Sequence, residues 1–383
     1  MIVRPYGIWL GESLELGAEL VLEDGVVREI RPHTGIPEAY VLSPAFVNAH
    51  SHFEYLGLEG KVEGATYGEW IANLTRMKAA QSTPQVSADA VRAGALNRAT
   101  GVAFVAEHSD RLGSGWAMLE AGLQGVIFQE VITFREREQP KSKLELVGQK
   151  AQEAGFQFGG PVYLSPHAYH TVDPATLYGL ASKGGPLSIH VAETGAESEF
   201  TRTGGGPIGE FYRSSGAVPV PTGQGVVETL GELGYLRRGV QFVHCCALEE
   251  GDVERLRLGG VTVAHCPRSN ERLQCPRAPV REMLDAGLSV GLGLDSAASS
   301  GPIDYFAEMR SALAVSRLRG RPITADEVWS MGTESGRLSV PIPGDPWRIE
   351  VGSRVPMIAI EVAGAVCIED VIEGGSPERV RWL

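Results

Sequence analysis

The chain has 383 residues, a formal net charge of −13 and a hydrophobic content of 43%. This length suits one large domain or two to three smaller ones, and the hydrophobic content is ordinary for a globular protein with a substantial core. The acidic balance argues against nucleic acid as a partner, because phosphates demand a basic surface.

The cysteines and the N-terminal residues indicate the compartment. Five cysteines in a chain of this length argue against a disulfide framework and for a reducing environment. The first residues, "MIVRPYGIWLGESLEL", contain no long apolar run of the kind found in signal peptides. No other stretch is apolar enough to span a bilayer. We therefore expect a cytoplasmic protein with no membrane partner.

Both ends of the chain predict short strands. "GIWL" and "ELVLEDGVVREIRP" lie near the N-terminus, and the Asp24-Gly25 pair between two alternating runs predicts a hairpin. After Gly336 the chain returns to short predicted strands, "VPMIAIEV" and "AVCIEDVIEGG". We expect residues 1–43 and 337–383 to form one small β-sandwich-like domain together.

The middle of the chain, 44–336, predicts an α/β fold. Apolar runs rich in Val, Ile and Phe alternate with helical stretches such as "SADAVRAGALNRAT" and "KSKLELVGQKAQEAG", which is typical of repeated βα units. Eight such strands predict a (β/α)8, TIM-like barrel, and the continuous apolar runs suit strands buried on both faces. The runs are 45–50, 101–108, 125–131, 161–167, 187–193, 240–246, 261–267 and 289–295.

The longest interruption lies between the fifth and sixth runs. It includes the segment 201–225, "TRTGGGPIGEFYRSSGAVPVPTGQG", which is rich in Gly and Pro. The segment is either a surface insertion or a loop that closes over the mouth of the barrel, because long loops in compact domains are often functional.

Histidines are concentrated at the predicted strand ends. Six of the eight runs end in or near a histidine, although the chain has only nine. Alternate residues of a strand face the same side, so His50 and His52 point together into the mouth. His190 and Asp295 end two further strands. Three imidazoles and one carboxylate suit one divalent metal, zinc above all, with iron or manganese as alternatives and a position left for water or hydroxide.

Two more polar residues lie beside this predicted metal site. Glu193 follows His190 by three residues, where a carboxylate can move protons to and from a bound substrate. His244 ends the sixth run. From the residues alone, it is either a metal ligand or a hydrogen-bond partner of the hydroxide that polarises the substrate.

These motifs resemble the amidohydrolase superfamily, and within it the branch of nucleobase and nucleoside deaminases and chlorohydrolases. The resemblance rests on "PAFVNAHSHFE", "LSPHAYHTV", "IHVAETGAESEF", "VAHCPRSNERL" and "GLGLDSAASSG". It implies one metal on His50, His52, His190 and Asp295, with Asp295 also accepting a proton from the water. It assigns proton transfer to Glu193, and contact with hydroxide and substrate to His244. Binuclear members carry a bridging lysine near the fourth strand, which "SPHAYH" lacks.

Within this branch, "HVAETGAESEFTRTGGGP" and "CPRSNERLQC" look most like the enzymes that deaminate 6-aminodeoxyfutalosine in menaquinone synthesis. The expected function is thus hydrolytic deamination of an aminopurine nucleoside by a metal-bound hydroxide. Deaminases of adenosine or S-adenosylhomocysteine, guanine or cytosine, and triazine-type chlorohydrolases remain alternatives. A catalytically silent relative used for assembly is an alternative of another class, and a homodimer is left open.

Five residues are candidate substrate contacts. We expect His167, at the end of the fourth run, to face the mouth and bind substrate rather than serve structure alone. Glu69 and Trp70, in "YGEWI", suit ribose hydroxyls and base stacking, or simply begin an amphipathic helix. Arg202 and Arg268 could bind a substrate carboxylate through paired hydrogen bonds, or brace surface loops.

Overall fold

The computed structural model describes residues 1–64, 66–136, 140–362 and 364–383. Its strands are β1 (Ile2–Val3), β2 (Pro5–Trp9), β3 (Leu14–Leu16), β4 (Ala18–Glu23), β5 (Val26–Pro32), β6 (Glu38–Pro44), β7 (Phe46–Ser51), β8 (Val102–Ser109), β9 (Gln124–Val131), β10 (Val162–Pro166), β11 (Leu187–Val191), β12 (Val240–His244), β13 (Thr262–His265), β14 (Val290–Leu292), β15 (Met357–Ile360) and β16 (Val380–Trp382).

Helices separate most of these strands. They are α1 (Tyr67–Ala80), α2 (Thr83–Ala99), α3 (Ser114–Glu120), α4 (Pro140–Phe158), α5 (Pro174–Ser182), α6 (Gly195–Thr203), α7 (Gly206–Ser214), α8 (Val226–Glu232), α9 (Asp252–Gly259), α10 (Pro267–Arg272), α11 (Val280–Asp285), α12 (Ala297–Ser300), α13 (Tyr305–Leu318), α14 (Ala325–Gly332), α15 (Glu334–Ser339) and α16 (Ile368–Gly374). Within the described ranges, no helix combines the length and apolarity that a membrane span needs.

The strands β7 to β14 match the eight predicted apolar runs and form two parallel sheets. One has the order β10-β9-β8-β7 and the other β11-β12-β13-β14. Residues of β7, β8 and β11 are buried along their whole length, as expected of strands covered on both faces. Because all these strands are parallel, their C-terminal ends lie at one end of each sheet.

The two parallel sheets meet at both edges. A parallel bridge joins Ser51 to Asp295, and another joins Ala168 to His190. At the first edge the Asp295 amide donates to the His50 carbonyl at 2.9 Å, and at the second the His190 amide donates to the His167 carbonyl at 2.9 Å. The strand ends that carry the predicted ligands are therefore linked by backbone hydrogen bonds.

Strands from both ends of the chain share one antiparallel-rich sheet, with the order β16-β15-β6-β2-β3. A second sheet has the order β1-β4-β5, and its β4-β5 pair is the predicted hairpin. Asp24 and Gly25 form the turn with φ of 51° and 76°, the left-handed values that a two-residue hairpin turn requires.

The terminal sheet and the parallel sheets join where β6 leads directly into β7. The indole of Trp347 donates to the Ala45 carbonyl at 2.6 Å, and the indole of Trp329 donates to Ser43 Oγ at 3.0 Å. Phe46 stacks on Tyr305 with ring centroids 4.6 Å apart. These buried aromatic contacts fix the start of the strand that carries His50.

One local prediction is wrong. The segment "AVCIEDVIEGG" contains a helix, α16, rather than a strand. Asp370 accepts hydrogen bonds from the Val366 and Cys367 amides at its N-terminus, and the buried residues Ile368, Val371 and Ile372 follow a helical period. The Gly- and Pro-rich segment 201–225 includes the helix α7, which starts at a Gly-Pro pair, since Pro is well tolerated in a first helical turn. Both alternatives for this segment, a surface insertion or a loop over the mouth, stay predictions.

Candidate active site

Four histidines and one aspartate converge at the C-terminal ends of the parallel strands. The ring centroid of His50 lies 4.8 Å from that of His52, 4.9 Å from that of His190 and 5.8 Å from that of His244. Asp295 Oδ1 lies 3.6 Å from His50 Nε2 and 3.7 Å from His52 Nε2. All five side chains are buried or nearly so. Residues from four distant strands thus share one small space.

Hydrogen bonds behind the rings set which nitrogen faces this space. His52 Nδ1 donates to the His108 carbonyl at 3.0 Å, and His190 Nδ1 donates to the His167 carbonyl at 2.8 Å. Each ring therefore has Nε2 available as a ligand, which is the usual arrangement of metal-binding histidines. Within the described residues, neither ring nitrogen of buried His50 has a hydrogen-bond partner. A divalent cation would satisfy this donor set.

The electrostatics of the cluster favour the protonation states that a metal needs. Burial, together with the neighbouring imidazoles, lowers the pKa values of His50 and His52 well below their ordinary value. Burial acts to raise the pKa of Asp295, but the facing histidines outweigh it and the pKa is lowered. Neutral imidazoles and an ionised carboxylate are the forms that bind a divalent cation.

The backbone is held in left-handed conformations at two of these residues. His244 has φ of 72° and Asp295 has φ of 53°. Positive φ is uncommon outside glycine and persists where the surrounding structure over-determines it, often at functional sites. Asn48 supplies part of that support, because its Oδ1 accepts from the Leu294 amide at 2.9 Å and its Nδ2 donates to Asn97 at 2.9 Å.

Glu193 lies between β11 and α6, beside the histidine cluster. Its amide donates to Glu197 Oε1 at 2.7 Å, and its Oε2 accepts from the phenol of Tyr67 at 2.6 Å. Its Oε1 lies 3.8 Å from His244 Nε2. Burial raises the pKa of Glu193, while His244 and the Tyr67 hydrogen bond act in the opposite direction. A carboxyl group of raised pKa beside a candidate metal site is suited to proton transfer.

His244 is oriented from the side opposite Glu193. Its Nδ1 donates to Asn270 Oδ1 at 2.9 Å. The acceptor on Asn270 fixes the proton on Nδ1 and leaves Nε2 facing Glu193 and the space between the histidines. The arrangement allows His244 either to ligate a metal or to hold a water molecule.

Comparison with known proteins identifies the family. A model described as "Amidohydrolase family" matches residues 41–375, which is most of the chain. The chain belongs to the amidohydrolase family. The 5-methylthioadenosine/S-adenosylhomocysteine deaminase 2 of Archaeoglobus fulgidus is 29% identical over 321 residues, which cover 82% of this chain and 72% of that relative.

Two solved structures have folds similar to that of this amidohydrolase. An adenosine deaminase from Xanthomonas campestris with bound zinc has a TM-score of 0.84 and 19% identity, and the match covers 99% of this chain and 90% of that one. The Helicobacter pylori aminofutalosine deaminase in complex with methylthio-coformycin has a TM-score of 0.80 and 18% identity, covering 97% and 95%. The predicted resemblance to the superfamily is confirmed.

The predicted substrate contacts have different surroundings. The His167 ring stacks on that of His190 with centroids 4.6 Å apart. Trp70 is buried in the first turns of α1, and Glu69 is exposed beside it. Arg202 pairs with Glu249 at 2.6 Å, and Arg268 donates to the Pro302 carbonyl at 2.8 Å. Their roles stay predictions, although both arginines already have partners in the protein.

Three residues beside this candidate site were missed by the sequence analysis. Tyr67 lies three residues before Trp70, so one helical turn places both on the same face, and that spacing was a usable signal. Glu130 is the last residue but one of β9, its buried carboxylate lies 3.8 Å from His190 Nδ1, and the strand-end rule that singled out Asp295 applies to it as well. Asn270 lies in α10, and its contact with His244 has no local signal in the sequence.

Proposed function

We propose that this chain is a hydrolytic deaminase of a 6-aminopurine nucleoside and binds one zinc ion through His50, His52, His190 and Asp295. The convergence of these four side chains beside Glu193, within a chain of the amidohydrolase family, carries the proposal. Three imidazoles and a carboxylate suit zinc. One ion is proposed because the fourth parallel strand is followed by "HAYH", which contains no bridging lysine.

A zinc ion bound there would lower the pKa of a coordinated water and so supply a nucleophile near neutral pH. Glu193 donates a proton to a ring nitrogen, which makes the adjacent amino-bearing carbon more electrophilic. His244 accepts a hydrogen bond from the attacking water at Nε2, because its Nδ1 is committed to Asn270. Asp295 accepts the water's proton. Asp295 then passes this proton to the amino group, which leaves as ammonia, while Glu193 regains a proton from the hydroxyl group on the attacked carbon as the 6-oxo product forms.

The proposed reaction needs a mouth at one end of the strands. We infer that the two parallel sheets form one closed (β/α)8 barrel over residues 44–336, since bridges join them at both edges. Residues 1–43 and 337–383 are proposed as the small β domain, because strands from both segments share a sheet. In such barrels the loops at the C-terminal strand ends build the active site.

The proposed substrate is 6-aminodeoxyfutalosine. The motif "HVAETGAESEFTRTGGGP" supports this substrate, and a structurally similar protein is an aminofutalosine deaminase. A 5′-thioether of adenosine is the second candidate, because the Archaeoglobus relative is named for 5-methylthioadenosine and S-adenosylhomocysteine. In either case His167, Glu69 and Trp70 are the proposed contacts to the nucleoside, and Arg202 and Arg268 to a carboxylate.

Ultraviolet absorbance tests the proposal directly, because conversion of a 6-aminopurine to its 6-oxo form changes the spectrum. Zinc-loaded protein should convert 6-aminodeoxyfutalosine faster than 5′-methylthioadenosine, S-adenosylhomocysteine or adenosine, with one ammonia released per turnover. Guanine, cytosine and a chlorotriazine complete the panel. Chloride release without ammonia would instead identify a chlorohydrolase. A purified protein that binds no metal and converts no member of the panel would be a catalytically silent relative.

A further inference from the structure

A tyrosine from the far side of the candidate site contacts the proposed proton carrier. Tyr67 is the first residue of α1, which follows the first parallel strand, whereas Glu193 follows the fifth. The Tyr67 phenol donates to Glu193 Oε2 at 2.6 Å, across 126 positions of sequence. A hydrogen bond of this length to a carboxylate is among the stronger kinds in proteins.

The position of Tyr67 is fixed by the start of its helix. Thr66 caps α1, with its Oγ1 accepting from the Glu69 amide at 3.3 Å. Trp70, one turn after Tyr67, is buried, and Gly64 approaches it so closely that a Cβ on Gly64 would lie 2.4 Å from the Trp70 amide nitrogen. At the other end of the helix, Lys78 pairs with Asp110 at 2.6 Å. The phenol is therefore presented by an anchored helix.

The two oxygens of Glu193 consequently have different surroundings. Oε2 is occupied by the phenol, and Oε1 faces His244 Nε2 at 3.8 Å. A phenol that donates to Oε2 keeps that oxygen unprotonated, so the proton that Glu193 carries resides on Oε1. The titratable groups that interact electrostatically with Glu193 are Tyr67, Glu197, His244, Cys246, Cys266, Cys275 and Asp295.

We propose that Tyr67 is a positioning residue for deamination, which holds Glu193 in one rotamer and confines its transferable proton to the oxygen that faces His244. This inference rests on the proposed function, in which Glu193 protonates the substrate. It adds a residue from the start of α1, which follows the first parallel strand, to the proton-transfer apparatus. Because the phenol touches Glu193 rather than the zinc ligands, its loss should affect turnover and leave metal binding intact.

Tyr67→Phe removes only the phenol oxygen. We expect kcat to fall roughly 10- to 100-fold, part of the 10²–10⁴-fold that a positioned acid–base group typically supplies, while KM and zinc content stay near wild type. The limb of the pH profile set by Glu193 should move to higher pH, because the lost donor stabilised the carboxylate. Tyr235→Phe is the matched control: its buried phenol donates to the Leu177 carbonyl at 2.9 Å, away from the site, and its kcat should match wild type.

Crystal structures of wild type and Tyr67→Phe supply a readout that does not depend on activity. We expect the Glu193 carboxylate to rotate or lose order in the variant. An unmoved carboxylate, or a kcat and pH profile like those of wild type, would overturn the role of Tyr67. If wild type itself deaminates no member of the substrate panel, the proposed function fails, and the position of Glu193 in the two structures still decides the positioning role.

Discussion

Replacing Asn48 by Ala should weaken both the fold and metal binding, because this residue ties together the two strands that carry three of the four proposed ligands. Asn48 is fully buried. Its amide group accepts from the Leu294 backbone at 2.9 Å, accepts weakly from the His50 amide at 3.4 Å, and donates to Asn97 Oδ1 at 2.9 Å. The Asn48→Ala change deletes all three hydrogen bonds.

The loss of stability in Asn48→Ala can be estimated from the two buried polar groups that would lose their hydrogen-bond partner. The Leu294 amide and the Asn97 carbonyl oxygen would remain buried without these partners, and each such loss costs about 1–3 kcal/mol. The free energy of unfolding should therefore fall by about 2–6 kcal/mol in the metal-free protein. Zinc affinity should fall as well, because β14 would no longer hold Asp295 in register with His50 and His52.

Urea unfolding of the metal-free protein measures the free energy of unfolding, and a competition titration with a chromogenic chelator measures the zinc affinity. Asn73→Ala is a suitable control, since the Asn73 side chain donates to the Glu63 carbonyl in an exposed position and should change stability by no more than about 0.5 kcal/mol. A stability and zinc affinity of Asn48→Ala that both equal those of the control would refute this reasoning.

Three further predictions concern proton transfer, ring orientation and pH. Glu193→Gln should retain zinc, as measured by metal analysis, and lose about 10²–10⁴-fold in kcat; near-normal turnover would remove Glu193 from the mechanism. Asn270→Leu should lower kcat roughly tenfold or more, because the His244 Nδ1 proton loses its acceptor, and an unchanged kcat would show that Asn270 does not orient the ring. Glu19 is buried between arginines, and hydrogen bonds from Thr34 and Arg31 outweigh burial and lower its pKa from 4.5 to about 2. Its ionised form therefore stabilises the fold fully above pH 4.5, and this contribution is lost as the pH falls towards 2. Glu19→Gln should accordingly reduce stability most at neutral pH, with the difference from wild type shrinking through that window in urea unfolding; a constant difference would contradict the pKa shift.

The sequence predicted the buried strands well, because apolar residues dominate each of these short runs. The run 125–131 predicted β9, found at Gln124–Val131, because strands buried on both faces are continuously apolar. The wrong strand prediction over α16 also came from a short apolar run. Its short apolar segment suits either a strand or a helix, and the capping by Asp370 decides between them.

The candidate site was predictable as far as strand ends reveal it. His50, His52, His190 and Asp295 were predicted to converge because their strands could be counted and the C-terminal ends of parallel strands lie together, and the four side chains do lie close together. The contacts of Glu193 with Tyr67 and of His244 with Asn270 join residues 126 and 26 positions apart. Such pairings depend on how helices pack against the strand ends, which no local periodicity encodes.

Anomalous diffraction at the zinc edge, from crystals of the zinc-loaded protein, would locate the proposed metal ion. We expect one strong peak within bonding distance of His50, His52, His190 and Asp295, with Glu193 outside the coordination sphere. A peak bound by other residues, or no peak among these four side chains at full zinc loading, would contradict the proposed zinc site.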